Sequence, residues 1–314
     1  MTEESSKMDE EGPLDPRLAS LFGLKQSDLL KPSNFHRGLF KYPGSKFDSL
    51  PNLMPCLPYR GSFIDVFGGS GCVILSRDQE KLMVYNDLNH AVVDFYRVVR
   101  EKPEKLMELL YLYLHSREEW EHCCRTWYDT TLSDIERAAR WYYMTQYSFI
   151  GKQESFGRVT GKSKSKHPIL ARVAGTLATK LSLFLEIHER LLNVQIENLD
   201  FRVCLSDYDQ KGAVFYCDPP YYLVDGSSYE DKMTRNDHLA LLETIMDMEG
   251  YVVLSGYDNT LYNEYEWTKK IAWNRRDRCD AQAISALNSR SEGSETLGRR
   301  GTRVETLWIH DPQA

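Results

Sequence analysis

The segment Asp218-Pro219-Pro220-Tyr221 contains residue types that can carry out a reaction, and it directly follows the apolar run 214–217. The Asp218 carboxylate and the backbone carbonyl of Pro219 can accept hydrogen bonds from an amino group on an aromatic ring, whose nitrogen then directs its lone pair at an electrophile. Pro219 and Pro220 fix φ and stiffen the turn, and the Tyr221 ring can stack on a flat base. The motif therefore indicates chemistry at the amino group of a nucleobase. A proline turn with a capping aspartate is the alternative.

A glycine-rich turn precedes this motif in the chain and follows the apolar run 62–67. Glycines at a strand-to-helix turn allow the backbone to approach a ligand closely, although the spacing is not the G-x-G-x-x-G of dinucleotide sites. Asp87 lies 20 residues after Phe67, where a carboxylate can accept from ribose hydroxyls. A tight turn with a surface acid is the competing interpretation, but the position of Asp87 favours a nucleoside-like ligand. The turn consists of Phe67, Gly68, Gly69, Ser70 and Gly71.

Two further segments suit the same ligand. Lys41-Tyr42-Pro43-Gly44-Ser45-Lys46 has two lysines that can hold an anionic group and a tyrosine that can cover a flat ring. Taken alone, it is better explained as an exposed turn. Asp200 and Phe201, at the end of another apolar run, could bracket an adenine ring.

The elements that must position these residues alternate between strands and helices. Short runs rich in β-branched and aromatic residues predict strands, and helical patterns lie between most of them. This alternation predicts an α/β fold with a mostly parallel, doubly wound sheet. The predicted strands are 62–67, 82–85, 194–201, 213–217, 251–255 and 304–309, and the last is expected to pair antiparallel with 267–273. The clearest predicted helices are 89–100 and 238–248.

Residues 103–190 interrupt this rhythm with a largely helical, aromatic-rich stretch. Ser133 and Glu136 predict a capping box before a helix over 138–149. The following loop, 151–166, is polar and basic, and the wider segment 148–168 has a net charge of +4. Such a unit is expected to contact nucleic acid, with Arg158 reading a base edge and the lysines meeting phosphate; a solvated loop is the alternative. The candidate contacts are Lys152, Arg158, Lys162, Lys164 and Lys166.

Composition excludes several classes of protein. No apolar run approaches the ~18 residues of a membrane span, and the acidic, polar residues 1–33 predict a mobile leader rather than a signal peptide. The seven cysteines show no paired metal-binding spacing, so reduced thiols in a cytoplasm are expected. The net charge of −7 argues mildly against nucleic-acid binding, but its uneven distribution offsets that objection.

With these motifs in their order, the chain resembles the Dam-like family of adenine-N6 DNA methyltransferases. The matching segments are KYPGSK (41–46), DVFGGSG (65–71), NDLN (86–89), ENLDF (197–201), DPPY (218–221), SGYDN (255–259) and RVETLWI (303–309). The stretch 149–168 does not show the Asn- and Phe-containing hairpin of GATC-recognising members, so no GATC specificity is implied. Ser45 also replaces the second of two adjacent glycines in the opening motif.

The resemblance implies a Rossmann-like doubly wound methyltransferase core, 34–102 and 191–314, with a mainly helical target-recognition insertion, 103–190. It implies S-adenosyl-L-methionine as the cofactor, base flipping from double-stranded DNA, no metal, and a prokaryotic or phage-like cytoplasmic setting in which a cognate restriction nuclease is a possible partner. Catalysis is assigned to 218–221. Cofactor contacts are assigned to Lys41, Tyr42, Lys46, Phe67, Gly68, Gly69, Ser70, Gly71, Asp87, Asp200, Phe201 and Asp218.

Three alternatives to this function remain at the level of sequence. Methylation of adenine N6 in RNA or of cytosine N4 in DNA uses related proline-containing motifs, often with Asn or Ser in place of the aspartate. Asp218 and the motif order favour adenine in DNA. A catalytically silent DNA-binding module on the same fold is a different class, which the intact Asp218, Tyr221 and Phe67 disfavour.

Overall fold

A computed structural model of the chain describes residues 38–113, 115–148, 155–157, 183–222, 233–275 and 303–314. Seven strands in these ranges form one sheet, in the order β3-β2-β1-β4-β5-β7-β6. The predicted leader 1–33 and the basic loop residues Lys152, Arg158, Lys162, Lys164 and Lys166 lie outside the described residues. The strands are β1 (Ser62–Asp65), β2 (Leu82–Asn86), β3 (Gln195–Glu197), β4 (Ala213–Cys217), β5 (Tyr251–Tyr257), β6 (Lys269–Arg275) and β7 (Arg303–His310).

The sheet is parallel from β3 to β5 and antiparallel at one end, where β7 lies between β5 and β6. This arrangement confirms the expected mostly parallel sheet and the antiparallel pairing of the last strand. β1 is bordered by β2 on one side and by β4 on the other, so the strand order reverses there. The carboxyl ends of β1 and β4 therefore border the crevice where doubly wound folds bind ligands.

Helices connect most of these strands, and several begin at side-chain caps. Ser133 and Glu136 form the predicted capping box, so the helix begins at 134 rather than 138. Asn89 caps the helix after β2. The helices are α1 (Leu50–Leu53), α2 (Cys72–Leu75), α3 (His90–Glu101), α4 (Pro103–Leu112), α5 (Arg117–Thr126), α6 (Asp134–Tyr147), α7 (183–191), α8 (Phe201–Tyr208), α9 (Arg235–Asp247) and α10 (Thr260–Asn263).

The predicted strand over 194–201 was wrong in its second half. Only Gln195–Glu197 pair with β2. The Asp200 carboxylate then accepts a hydrogen bond from the backbone N–H of Arg202, which makes Asp200 the N-cap of α8 and Phe201 its first residue. The helix predicted over 238–248 likewise begins earlier, because Thr234 and Asp237 form a second capping box.

The hydrophobic core lies on both faces of the sheet, because successive strand residues point to opposite sides. Phe63 belongs to the buried cluster that includes side chains of α3, α4 and α6, whereas Ile64 belongs to the cluster that includes side chains of α8 and α9. The helices of the predicted insertion share the first of these faces. On it, the Phe95 ring of α3 stacks on Tyr142 of α6 with 5.3 Å between ring centroids, a contact worth about 0.5–1.5 kcal/mol beyond burial.

The described ends of the loop after α6 pair with each other. Ser148 and Phe156 form an antiparallel bridge, and the Gly157 N–H donates to the Tyr147 carbonyl at 2.7 Å. These contacts hold the two described ends of the loop together.

Candidate active site

Asp218 lies immediately after β4, at the carboxyl edge of the sheet, and its side chain is 15 % exposed. Its Oδ1 accepts a hydrogen bond from the Ser255 hydroxyl of β5 at 2.7 Å, and its Oδ2 accepts from the Lys46 ammonium at 2.5 Å. Burial raises the pKa of Asp218 above its ordinary value, and the Lys46 charge opposes that rise. The carboxylate is thus held at both oxygens by residues from separate segments.

Lys46 and Tyr221 meet around a second carboxylate, that of Glu305 on β7. The Lys46 Nζ lies 3.8 Å from Glu305 Oε1 and 4.8 Å from the centroid of the Tyr221 ring. The Tyr221 hydroxyl donates a hydrogen bond to the same Oε1, and the Tyr257 ring contacts Tyr221 edge-on. Lys46, predicted among the cofactor residues, therefore lies beside Asp218; its contact with a cofactor stays a prediction.

The glycine turn after β1 is fixed by the end of β2. The Gly69 N–H donates to Asp87 Oδ2 at 2.7 Å, and the Tyr85 hydroxyl donates to the Gly69 carbonyl at 2.7 Å. A Cβ on Gly68 would lie only 2.2 Å from Tyr85 Cε2, so a larger residue would force the turn away from β2. Asp87 Oδ1 also accepts from the Asn89 N–H. The predicted pairing of this turn with Asp87 is therefore present in space.

Other predicted cofactor residues lie around this turn. The Phe67 and Phe201 rings contact each other with 5.8 Å between centroids, and Tyr42 lies against Gly69, where an added Cβ would meet its ring at 2.9 Å. Asp200 is partly exposed and pairs with Arg202. Lys41 instead donates to the backbone carbonyl of Gln146 at the end of α6, at 3.1 Å, and burial lowers its pKa.

Sequence reasoning assigned no role to three buried residues at this edge: Asp65, Ser255 and Glu305. Asp65 ends β1, and burial, followed by the charge of Asp218, raises its pKa to about 8. Its Oδ2 has no hydrogen-bond partner among the described residues. Glu305 could have been singled out from the sequence because it is an acidic residue within the otherwise largely apolar predicted strand 304–309.

Among the described residues, no cluster of three or more His, Cys, Asp or Glu side chains is arranged to hold a metal ion. In the same part of the chain, no helix combines the length and apolarity needed to cross a membrane.

Comparison with known proteins identifies the family of this chain. Residues 42–274 match the model of the family described as D12 class N6 adenine-specific DNA methyltransferase. Because the match covers most of the chain, the chain belongs to this family. The activity of this family is the transfer of a methyl group to the N6 amino group of adenine in DNA. This is the function that the sequence favoured over RNA methylation, cytosine-N4 methylation and a catalytically silent module.

Relatives of the chain include methyltransferases of bacteria and of a phage. It is 29 % identical to the type II methyltransferase M1.LlaDCHI of Lactococcus lactis subsp. cremoris, over 73 % of this chain and 84 % of that protein. It is 22 % identical to the DNA adenine methylase of Salmonella typhi, over 75 % of this chain and 86 % of that protein. Similarity to the DNA N-6-adenine-methyltransferase of Escherichia phage P1, at 25 % identity, covers 90 % of this chain but only 34 % of that longer protein.

Proposed function

We propose that S-adenosylmethionine is the methyl donor and that the acceptor adenine is flipped out of double-stranded DNA onto Asp218-Pro219-Pro220-Tyr221. One observation carries this proposal. β1 and β4 are neighbouring parallel strands, so the glycine turn after β1 and Asp218 after β4 emerge side by side. A donor on the turn and a base at Asp218 would then be adjacent.

The charges at this edge fit a cationic donor. Asp87 and Asp218 directly follow β2 and β4, the two strands that flank β1. The Lys46 ammonium is paired with Asp218 and lies 3.8 Å from the carboxylate of Glu305. An excess of carboxylates in a poorly solvated crevice favours a positively charged ligand. When bound, S-adenosylmethionine supplies an electrophilic methyl group on a positively charged sulfur.

The proposed cofactor contacts follow from the positions described above. Asp87 accepts from ribose hydroxyls, Phe67 and Phe201 cover the adenine ring, and the glycine turn allows close approach of the backbone. The remaining contacts of the proposed cofactor site are Lys41, Tyr42, Lys46, Gly68, Gly69, Ser70, Gly71, Asp200 and Asp218.

Asp218 performs the chemical role at the amino group. Its carboxylate and the Pro219 carbonyl accept the two amino hydrogens, which localises the nitrogen lone pair. Positive charge would develop on this nitrogen as the methyl group passes to it from the donor sulfur. The negative charge of Asp218 would stabilise that charge more strongly in the transition state than in the ground state. The nitrogen would then lose one of its two protons to solvent. Ser255 and Lys46 keep the carboxylate in position for this task.

A direct assay tests the proposed function. Purified protein is incubated with S-adenosylmethionine labelled in its methyl group and with unmethylated duplex DNA, a matched RNA, or neither, and the modified nucleoside is identified by mass spectrometry. We expect labelled N6-methyladenine from duplex DNA alone. Labelled N4-methylcytosine, methylated RNA or no transfer would each contradict the proposal.

Variants at Asp87 and Phe67 should weaken donor binding separately from chemistry. Asp87→Asn removes a charged acceptor and Phe67→Ala removes an aromatic cover, so we expect each to lower the affinity for S-adenosylmethionine about 10- to 100-fold in calorimetry. Glu101→Ala, at an exposed position of α3, is the matched control. Unchanged affinity in both variants would mean that the turn has no ligand-binding role.

Tyr221 is expected to act mainly through its ring. A flipped base has lost its stacking partners, and an aromatic face restores about 1–3 kcal/mol. Tyr221→Ala should therefore lower kcat/KM about 10- to 100-fold, and Tyr221→Phe should retain much of the activity. Steady-state kinetics on duplex DNA measures both. Equal losses in the two variants would assign the role to the hydroxyl instead.

Recognition of the DNA sequence is proposed for the insertion 103–190, with Arg158 contacting a base edge and Lys152, Lys162, Lys164 and Lys166 contacting the backbone. The support is the basic character of 148–168.

A cognate restriction nuclease and a cytoplasmic setting in a prokaryote or phage are proposed from the type II and phage relatives.

A further inference from the structure

Glu305 is a buried carboxylate at the methyl-transfer site for which neither the sequence nor the proposed mechanism has a role. It lies in β7, paired in register with Tyr257 of β5 and Trp273 of β6, and its side chain is 0 % exposed. Burial of a charge carries a large desolvation cost, and an apolar residue at such a position is often neutral or stabilising. The carboxylate at this position therefore calls for a functional explanation.

The contacts of Glu305 connect it to both chemical groups of the site. Its Oε1 accepts from the Tyr221 hydroxyl and lies 3.8 Å from the Lys46 ammonium. The same ammonium bonds Asp218 at 2.5 Å. One cation is therefore shared by two carboxylates, and the Tyr221 ring is held at its hydroxyl by the second of them.

We propose that Glu305 is a positioning residue for methyl transfer, which draws the Lys46 ammonium between two carboxylates and fixes the Tyr221 ring through its hydroxyl. A lysine paired with Asp218 alone would neutralise much of the charge that the amino group needs. Because Glu305 shares that lysine, Asp218 stays a strong acceptor. The inference rests on the proposed role of Asp218 and does not depend on which DNA sequence is methylated.

The charges around Asp218 determine the direction in which Glu305 changes its pKa. The negative charge of Glu305 raises the pKa of Asp218, so removal of that charge should lower it. Titratable and charged side chains of the neighbouring elements interact electrostatically with Asp218. They are Lys46, Asp65, Tyr216, Cys217, Tyr221, Tyr262 and Glu305.

Glu305→Gln tests the proposal, because it removes the charge and keeps an oxygen that can accept from Tyr221. At saturating duplex DNA and S-adenosylmethionine, we expect the plateau of kcat to fall about tenfold, since Asp218 becomes a weaker acceptor. In a plot of kcat against pH, the acidic limb should move to lower pH by about one unit. The KM for DNA should stay within about threefold of its original value.

The lower plateau of kcat and the shift of the acidic limb together distinguish a positioning role from a loss of structure. A merely structural defect lowers the plateau without moving the acidic limb, and that result would overturn the proposal. Thr306→Val is the matched control at the next buried position of β7 and should leave both quantities unchanged. Glu305→Asp, which keeps the charge, should leave the acidic limb in place, and thermal unfolding of each variant verifies the fold.

A second pair of variants tests the shared lysine. In Lys46→Met, two carboxylates face each other without the cation, so the acidic limb should move to higher pH. Adding Glu305→Gln to that variant should move the limb back by more than Glu305→Gln shifts it when Lys46 is present, because the lysine no longer screens Asp218 from Glu305. Independent, additive effects would contradict the proposal. Absence of methyl transfer by the unaltered protein would instead overturn the proposed function, and the inference with it.

Discussion

Asp218→Ala is expected to lower kcat for methyl transfer on the order of 1,000-fold or more, because it removes a preorganised acceptor aimed at the developing positive charge. The fold should survive, since the carboxylate follows β4 rather than lying within it. Ser255 and Lys46 lose their partner, but the Lys46 ammonium remains 3.8 Å from Glu305. Binding of S-adenosylmethionine should change much less than kcat.

Two controls make this result interpretable. Circular dichroism and thermal unfolding verify that the variant is folded, and Asp207→Ala removes an exposed carboxylate from α8 without approaching the site. Single-turnover kinetics with saturating donor then measures the chemical step. If folded Asp218→Ala retained substantial turnover, another residue would have to accept from the amino group.

Asp65→Asn is expected to stabilise the folded protein progressively as pH rises. The pKa of Asp65 is raised from 3.8 to about 8, chiefly by burial. The folded state therefore keeps a proton that the unfolded state releases, and stability falls between about pH 4 and pH 8. About four pKa units at ~1.4 kcal/mol each give an upper bound on the order of 5 kcal/mol. Asparagine does not titrate and avoids this loss.

The measurement is the free energy of unfolding in urea at several pH values, without added methyl donor. The difference between Asp65→Asn and the unaltered protein should be small near pH 4, grow through neutral pH and level off above about pH 8. Asp78→Asn, at an exposed position, is the matched control for removal of a carboxylate. A difference that does not vary with pH would show that Asp65 is already ionised in the folded protein.

The sequence predicts the sheet well because its signals are local. β4 follows an apolar run bounded by polar residues, and its observed limits, 213–217, match the predicted ones. The capping box at Ser133 is confirmed for the same reason, since it depends on residues three apart. The strand over 194–201 was predicted too long because apolar content does not distinguish the end of a strand from the first turn of a capped helix.

The composition of the site was harder to predict because its contacts are non-local. Asp218 and Lys46 are 172 residues apart, and Tyr221 and Glu305 are 84 apart. No spacing rule relates such pairs, so the sequence did not predict that Lys46 pairs with Asp218 or that Glu305 lies at the site. The glycine turn and Asp87 were placed correctly relative to each other because a single strand-helix-strand unit contains both.

The position of β7 also affects when a nascent chain becomes able to react. β7 follows every other described strand along the chain, yet it lies between β5 and β6 and contributes Glu305 to the site. Contacts of such high sequence separation form late, because the entropy of closing a long loop must first be overcome. A chain still emerging from the ribosome could assemble β1 to β5 and the glycine turn without anchoring Tyr221. Incomplete molecules would then modify DNA more slowly, and full activity would coincide with completion of the sheet.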